Sequence, residues 1–219
     1  MVSDAERAEL LKEFDRCFHY VQLMRVWVDD DSPRVNVKCH SITLKVKGSI
    51  PIPMGLVMGN FNCSKSELTS LENAPQVVTG NFDCHNNYLE SLQGGPASVG
   101  SSSIGGGTYS CSYNFLKNFE GAPTTFNGYL VGVSQLGTGL DSVDGLPLNA
   151  RLIDITYQKN LPLLKLLQHH RVNVRTPITG ERMDDLSDIL DKYAGQGQSA
   201  ALACAAELSA AGYKANAQW

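Results

Sequence analysis

Apolar residues recur through the middle of the chain at fixed offsets that match neither a helix nor a long strand. "GNFNCSKSELTSLENAPQVV" starts at Gly59, "GNFDCHNNYLESLQGGPASV" at Gly80 and "GTYSCSYNFLKNFEGAPTTF" at Gly107. Each reads Gly-x-aromatic-x-Cys, with Leu five residues on, an apolar residue three beyond it and Pro four beyond that. The aromatic and Cys slots are two positions apart, which puts both on one face of a short strand. A unit this short cannot bury its apolar face alone, so the repetition predicts a stack of parallel strands, one per repeat, with the slots lining an interior seam.

The pattern weakens outward but continues. "VNVKCHSITLKVKGSIP" puts Val37 and Cys39 in the two slots, "VGVSQL" puts Val131 and Val133 there, and "IDITYQ" puts Ile153 and Ile155 there. The Cys slot therefore accepts Val and Ile, as a small buried hydrophobe does, and Cys39, Cys63, Cys84 and Cys111 are expected as structural rungs. This bears on "DCH", where Cys84 beside His85 and after Asp83 resembles a metal or nucleophile site. Neighbours on a strand point to opposite faces, so His85 does not reach the Cys84 thiol. Cys111 follows Cys84 by 27 residues where Cys84 follows Cys63 by 21, and the extra "SSSIGG" is expected as a projecting loop.

At this point the chain resembles leucine-rich-repeat proteins, through "FDCHNNYL" (Phe82, Cys84, Asn87, Leu89) and "YSCSYNFL" (Tyr109, Cys111, Asn114, Leu116). The resemblance implies an α/β repeat solenoid over Val35 to Leu167. It also implies that Asn87 and Asn114 are ladder asparagines whose amides satisfy backbone groups at the corner after the strand. Ser66 stands in that place in the repeat before, while Ile42, Leu136 and Gln158 depart from it. These irregular repeats, with Gly-Ala-Pro segments, are similar to uncharacterised repeat proteins encoded by tailed phages.

Open ends of such a stack need covering. Residues 1–34 read as an N-terminal cap: "SDAERAELLKEFDRCFHYVQ" as a helix opened by a Ser3/Glu6 capping box, then "VQLMRVWV" as a strand. Residues 35–167 form the solenoid of five to six repeats, and 168–219 a C-terminal helical segment. There "LPLLKLLQHHRV" reads as a short helix leading in, with "MDDLSDILDKYA" and "SAALACAAELSAAGY" as two more. Whether these cap the repeats or form a separate module stays open at this level. "HHR" at His169 to Arg171 reads as the end of the short helix.

Charge narrows the function. With 18 Lys and Arg against 22 Asp and Glu, the chain has no general pull toward nucleic acid or anionic membrane, and neither partner is expected. No stretch is long and apolar enough for a membrane span, and the charged start has no secretory h-region, so a cytoplasmic protein with reduced thiols is expected. Phosphate-loop, zinc-protease and paired Cys-x-x-Cys motifs are absent. No catalytic, cofactor-binding or metal-binding residue is assigned, and the chain is read as a non-enzyme.

What remains is the outward strand face, where Lys65, Asp83, His85, Asn86, Ser112, Tyr113, Gln135, Asp154 and Tyr157 form a polar row with aromatic anchors. Such a row suits recognition of a protein partner, and with the phage resemblance it suggests an inhibitor or adaptor acting on a host protein. The alternative is a protein that sequesters a small ligand or nucleotide on the same face. On that row His40, Lys65 and His85 are the only cations or near-cations, which argues against an anionic ligand. A third reading is an enzyme using Asp83 and His85.

Overall fold

The computed structural model describes residues 1–101, 106–126, 128–132, 139–148 and 150–219. Val133, Ser134, Gln135 and Leu136 lie outside the described residues, as does most of the "SSSIGG" insertion.

Ser3 opens helix α1 (Asp4–Cys17), and its Oγ accepts a hydrogen bond from Glu6 N at 3.2 Å. Phe14 and Cys17 are buried. The helix ends before "FHYVQ". Phe18 leaves the helix for strand β1 (Phe18–Val21), where it stacks on Phe14 at 5.4 Å and meets Phe61 at 6.1 Å. "FHY", expected as the end of the helix, is therefore strand, and the strand expected over Val21 to Val28 is interrupted. Gln22, at φ 51°, separates β1 from β2 (Arg25–Val28), and both pair antiparallel with one long strand, β3 (Val35–Leu44).

From β3 the chain coils into a parallel-strand solenoid. Its strands are β4 (Met54–Asn62), β5 (Val77–Val78), β6 (Phe82–Asp83), β7 (Ser98–Val99), β8 (Gly107–Ser110), β9 (Thr125–Phe126), β10 (Gly128–Gly132), β11 (Leu152–Thr156) and β12 (Val172–Arg175). One run of the sheet goes β3-β4-β6-β8-β10-β11-β12, and a shorter run β4-β5-β7-β9 branches from the first half of β4. Central units thus carry a second, two-residue strand before the main one, held by buried Val78, Val99 and Phe126. Between the two strands the turns approach so closely that only glycine fits. A Cβ on Gly107 would strike the carbonyl of Gly80, and one on Gly128 the carbonyl of Gly107. This is why each unit opens on Gly.

Register confirms the central slots and corrects the outer ones. Phe61, Phe82 and Tyr109 are level, and their rings stack at 5.7 and 5.0 Å. In β3, however, Ile42 pairs with Phe61, and continuing by one residue past Thr43 brings Leu44 level with Cys63. Cys39 instead sits in an irregularity between Lys38 and Ser41, buried but off the ladder. In β10, Leu130 is level with both Tyr109 and Ile153, and Gly132 with Ile155. Val131 was thus assigned one residue out of phase, while Ile153 and Ile155 occupy the slots expected of them.

The C-terminal segment caps the stack. After a 3-10 turn (Leu163–Gln168), β12 adds a strand where only the end of the short helix at Val172 was expected, then α2 (Asp184–Tyr193) and α3 (Ala201–Ala210) follow. The free edge of β12 is closed by side chains of α2. Val172 N donates to Asp191 Oδ1 at 2.8 Å and Val174 N to Ser187 Oγ at 3.0 Å. Covering the last edge this way removes a template for strand-to-strand association. Asn216, buried, donates to the carbonyls of Gln158 at 2.7 Å and Leu161 at 3.1 Å, pinning the chain end back onto the solenoid.

One core group is out of keeping with its neighbours. Tyr109 fills a slot taken by phenylalanine in the two preceding turns, and among the described residues its enclosed hydroxyl has only the Cys84 thiol, a weak partner, to bond to. That thiol is itself directed to Ser110 O at 3.3 Å. Tyr109→Phe should therefore raise stability by about 1 kcal/mol, because it removes a buried polar atom that gains little in the fold. Urea denaturation checks this. A loss of stability would mean that the hydroxyl is bonded in solution.

Candidate functional site

The chain turns a sharp corner after each Cys rung, and the corner is built the same way three times. Lys65, Asn86 and Tyr113 occupy equivalent positions in the left-handed region, at φ 56°, 54° and 56°. The next residue points inward and holds the bend. Asn87 Oδ1 accepts from Ser66 N at 2.9 Å and Leu68 N at 3.0 Å, while its Nδ2 donates to the carbonyls of Cys63 at 2.9 Å and Cys84 at 3.0 Å. Asn114 repeats this one turn later, accepting from Leu89 N at 3.1 Å and donating to the Cys84 and Cys111 carbonyls at 3.1 and 3.0 Å. These are the ladder roles expected for both asparagines.

Alternation past the corner then sends Glu67, Tyr88 and Phe115 outward between buried neighbours. Tyr88 and Phe115 lie in ring contact at 6.3 Å, and Tyr88, Tyr113 and Phe115 remain 51%, 49% and 36% exposed. Glu67 pairs with Lys47 at the end of this ridge. Two apolar rings held in solvent on a rigid corner are unusual, and so is Tyr113 itself. A left-handed backbone costs a residue with a bulky side chain about 1–3 kcal/mol, which asparagine or glycine largely avoids. Asn86 shows that the corner accepts a better-suited residue, so the fold does not require tyrosine there.

Beside the corner, Asp83 Oδ1 lies 2.7 Å from His85 Nδ1 and also accepts from His85 N at 3.1 Å. The carboxylate fixes the imidazole and leaves Nε2 as its outward polar atom. Both side chains are half-buried.

The remaining outward residues have different fates. Ser112 is buried, and Asp154 is buried in a two-pronged ion pair, Oδ1 to Arg175 Nε at 2.7 Å and Oδ2 to Nη2 at 2.8 Å. Tyr157 is half-buried, its hydroxyl donating to Asn216 Oδ1 at 3.2 Å and its ring set edge-on to Tyr213 at 6.0 Å. Ser112 and Asp154 are thus enclosed rather than presented outward as expected, and Tyr157 is tied into the fold by its hydroxyl. Gln135 lies outside the described residues. The accessible members of the predicted row are thus Lys65, Asn86 and Tyr113, with Asp83 and His85 alongside. Tyr88 and Phe115 were missed, although "NNYL" and "YNFL" place each between two inward residues.

The cysteines offer no nucleophile. Burial pushes the Cys111 thiol up to about 12 and raises those of Cys63 and Cys84 as well, so all three stay protonated near neutrality. Among the described residues no group of three or more His, Cys, Asp or Glu is placed to hold a metal ion, and no helix is long and apolar enough to cross a membrane. The chain matches no family model, no curated protein and no solved structure.

Proposed function

We propose that this protein is a non-catalytic protein-binding module whose contact surface is the corner ridge of Tyr88, Tyr113 and Phe115, flanked by Lys65 and Asn86. The observation that carries this reading is the exposed ring cluster on a backbone fixed by buried asparagine amides. Aromatic side chains dominate the energy of protein interfaces. A surface already rigid before binding loses little conformational freedom on association. The strain at Tyr113 supports the same reading, since tyrosine is kept where the backbone favours another residue. The resemblance of the repeats to those of tailed-phage proteins gives the module a concrete form, an inhibitor or adaptor acting on a host protein in the host cytoplasm.

Affinity capture from host-cell lysate, read by mass spectrometry, tests this with the wild type and a Tyr88→Ser, Tyr113→Ser, Phe115→Ser variant of matched thermal stability. The expected result is a protein retained by the wild type and weakened by at least about tenfold in the variant. A partner held equally by both removes the ridge from the interface. A Asp83→Asn, His85→Gln variant run in parallel reports whether the strand face contributes.

A further inference from the structure

A cleft of about 560 Å³ opens on the outer face of the sheet where β2, β3 and β4 meet. Three backbone irregularities converge on it: Gln22 at φ 51°, the break in pairing between Lys38 and Ser41 of β3, and Gly59 of β4 at φ +150°. Bulges of this kind re-aim side chains beside ligand sites. The volume falls in the range of small-molecule pockets, roughly 300–1,000 Å³.

The lining has a consistent chemistry. Met24 and Met58 present exposed thioethers, 62% and 39% accessible, in a molecule whose core otherwise takes up most of its large apolar side chains. Lys38 is level with Met58 on one side and with Arg25 on the other, so the three side chains leave the same face of the sheet. His40 lines the cleft beyond the bulge, and among the described residues no Asp or Glu does. The cleft therefore has a basic rim at Lys38 and His40 on a chain of net charge −4, while Arg25, from the same face, lies over the Trp27 ring at 4.9 Å. The spacing of the repeats gave no hint of this, because Met24 precedes them and Lys38 sits at the irregularity in β3 that breaks their register.

We propose that this cleft binds a small planar aromatic anion, its ring against Met24 and Met58 and its anionic group at Lys38 and His40. Thioether sulfur packs favourably against aromatic rings, and methionine adapts its shape to them. Charge-assisted hydrogen bonds from Lys38 and His40 fix the head group. The site shares no residue with the corner ridge, and its occupancy does not depend on the protein-binding reading.

Two natural sources supply this chemistry, a nucleoside monophosphate and an aromatic carboxylate. Calorimetric titration of the full chain with adenosine monophosphate and with indole-3-acetate separates them, with adenosine and inorganic phosphate as half-ligands. Saturable binding of either anion is expected, weakened by about tenfold or more in Lys38→Met, which keeps the aliphatic stem but drops the charge. Met58→Glu, which places a carboxylate in the rim at an exposed position, should abolish it. Binding of the monophosphate alone assigns the site to nucleotides, and binding of indole-3-acetate alone assigns it to carboxylates. The proposal is overturned if neither anion binds saturably, if adenosine binds as well as its monophosphate, or if Lys38→Met binds unchanged while its thermal stability matches the wild type.

Discussion

Replacing Asn114 by alanine should cost the fold about 2–4 kcal/mol, among the largest losses expected of a polar side chain here. The side chain is fully buried and joins two turns: its oxygen takes Leu89 N, and its nitrogen serves the carbonyls of Cys84, Cys111 and, at 3.3 Å, Ser112. Removing the amide leaves Leu89 N enclosed without its acceptor, at about 1–3 kcal/mol when water cannot replace the bond, and takes one donor each from carbonyls of which Cys84 O keeps Asn87 Nδ2 and Ser112 O keeps Asn86 N. Asn114→Asp should be no better near neutral pH, because it keeps an acceptor, loses the donor and adds a buried charge. Asn114→Ser should fall between, since Ser66 fills the equivalent place two repeats earlier and directs its hydroxyl to Ser64 O at 3.2 Å. Urea midpoints for the three variants order them. An Asn114→Ala loss below about 1 kcal/mol would show that water enters the corner and takes over the amide's bonds.

The central turns were legible in the sequence because three properties coincide there. Each unit has Gly where the turns touch, an aromatic and a Cys two apart, and a polar residue whose side chain closes the corner. Where one of these drops out, phase is lost. "VGV" alternates as well in one register as in the next, and a slip of one residue exchanges the faces of a strand. The glycine would have decided it: Gly128, Tyr129 and Leu130 repeat Gly107, Thr108 and Tyr109, and the structure pairs them so. Cys39 misled for another reason. The irregularity in β3 shifts the register between Lys38 and Ser41, and no local propensity announces it. The two-residue strands β5, β7 and β9 are too short to carry a pattern, and exist because the turns stack.

The candidate site was legible in direction but not in exposure. Alternation correctly separates residues that face the core from those that face away. It says nothing of what else approaches the outer face. Asp154 is covered because Arg175, from the following strand, reaches back to it, and Tyr157 because the chain end returns to Asn216. Both partners lie beyond the repeats, where no slot identifies them. The ridge is the opposite case. Its exposure depends only on local alternation past a fixed corner, so Tyr88 and Phe115 could have been read beside Asn87 and Asn114.

Acid should destabilise the protein through a single imidazole before its carboxylates matter. His169 is 2% exposed at the end of the 3-10 turn that carries the C-terminal cap, and among the described residues its Nδ1 has no hydrogen-bond partner. Its carbonyl accepts from Gly195 N at 2.8 Å, so the residue sits in the joint between solenoid and helices. Burial first, then the neighbouring His170, pulls its ionisation down from 6.5 to about 4. Charged groups on the packed helices are engaged elsewhere: Asp191 with Val172 N and Arg182, Glu207 with Lys192 and Tyr193, Asp184 and Asp188 with Arg182. A group whose folded value is depressed favours the fold in its neutral form. The stabilisation is therefore complete above the unfolded value and is lost as pH falls from about 6.5 toward 4, by about 2 kcal/mol between pH 7 and 5 and about 3 kcal/mol by pH 4. Asp144 and Glu207, held below their ordinary carboxylate values by Lys165 and Lys192, lose their contributions only at lower pH. His169→Phe keeps a ring in the joint without a titrating atom, so its urea midpoint should stay level from pH 7 to 5 while that of the wild type falls. Parallel decline of both proteins would place the acid sensitivity elsewhere.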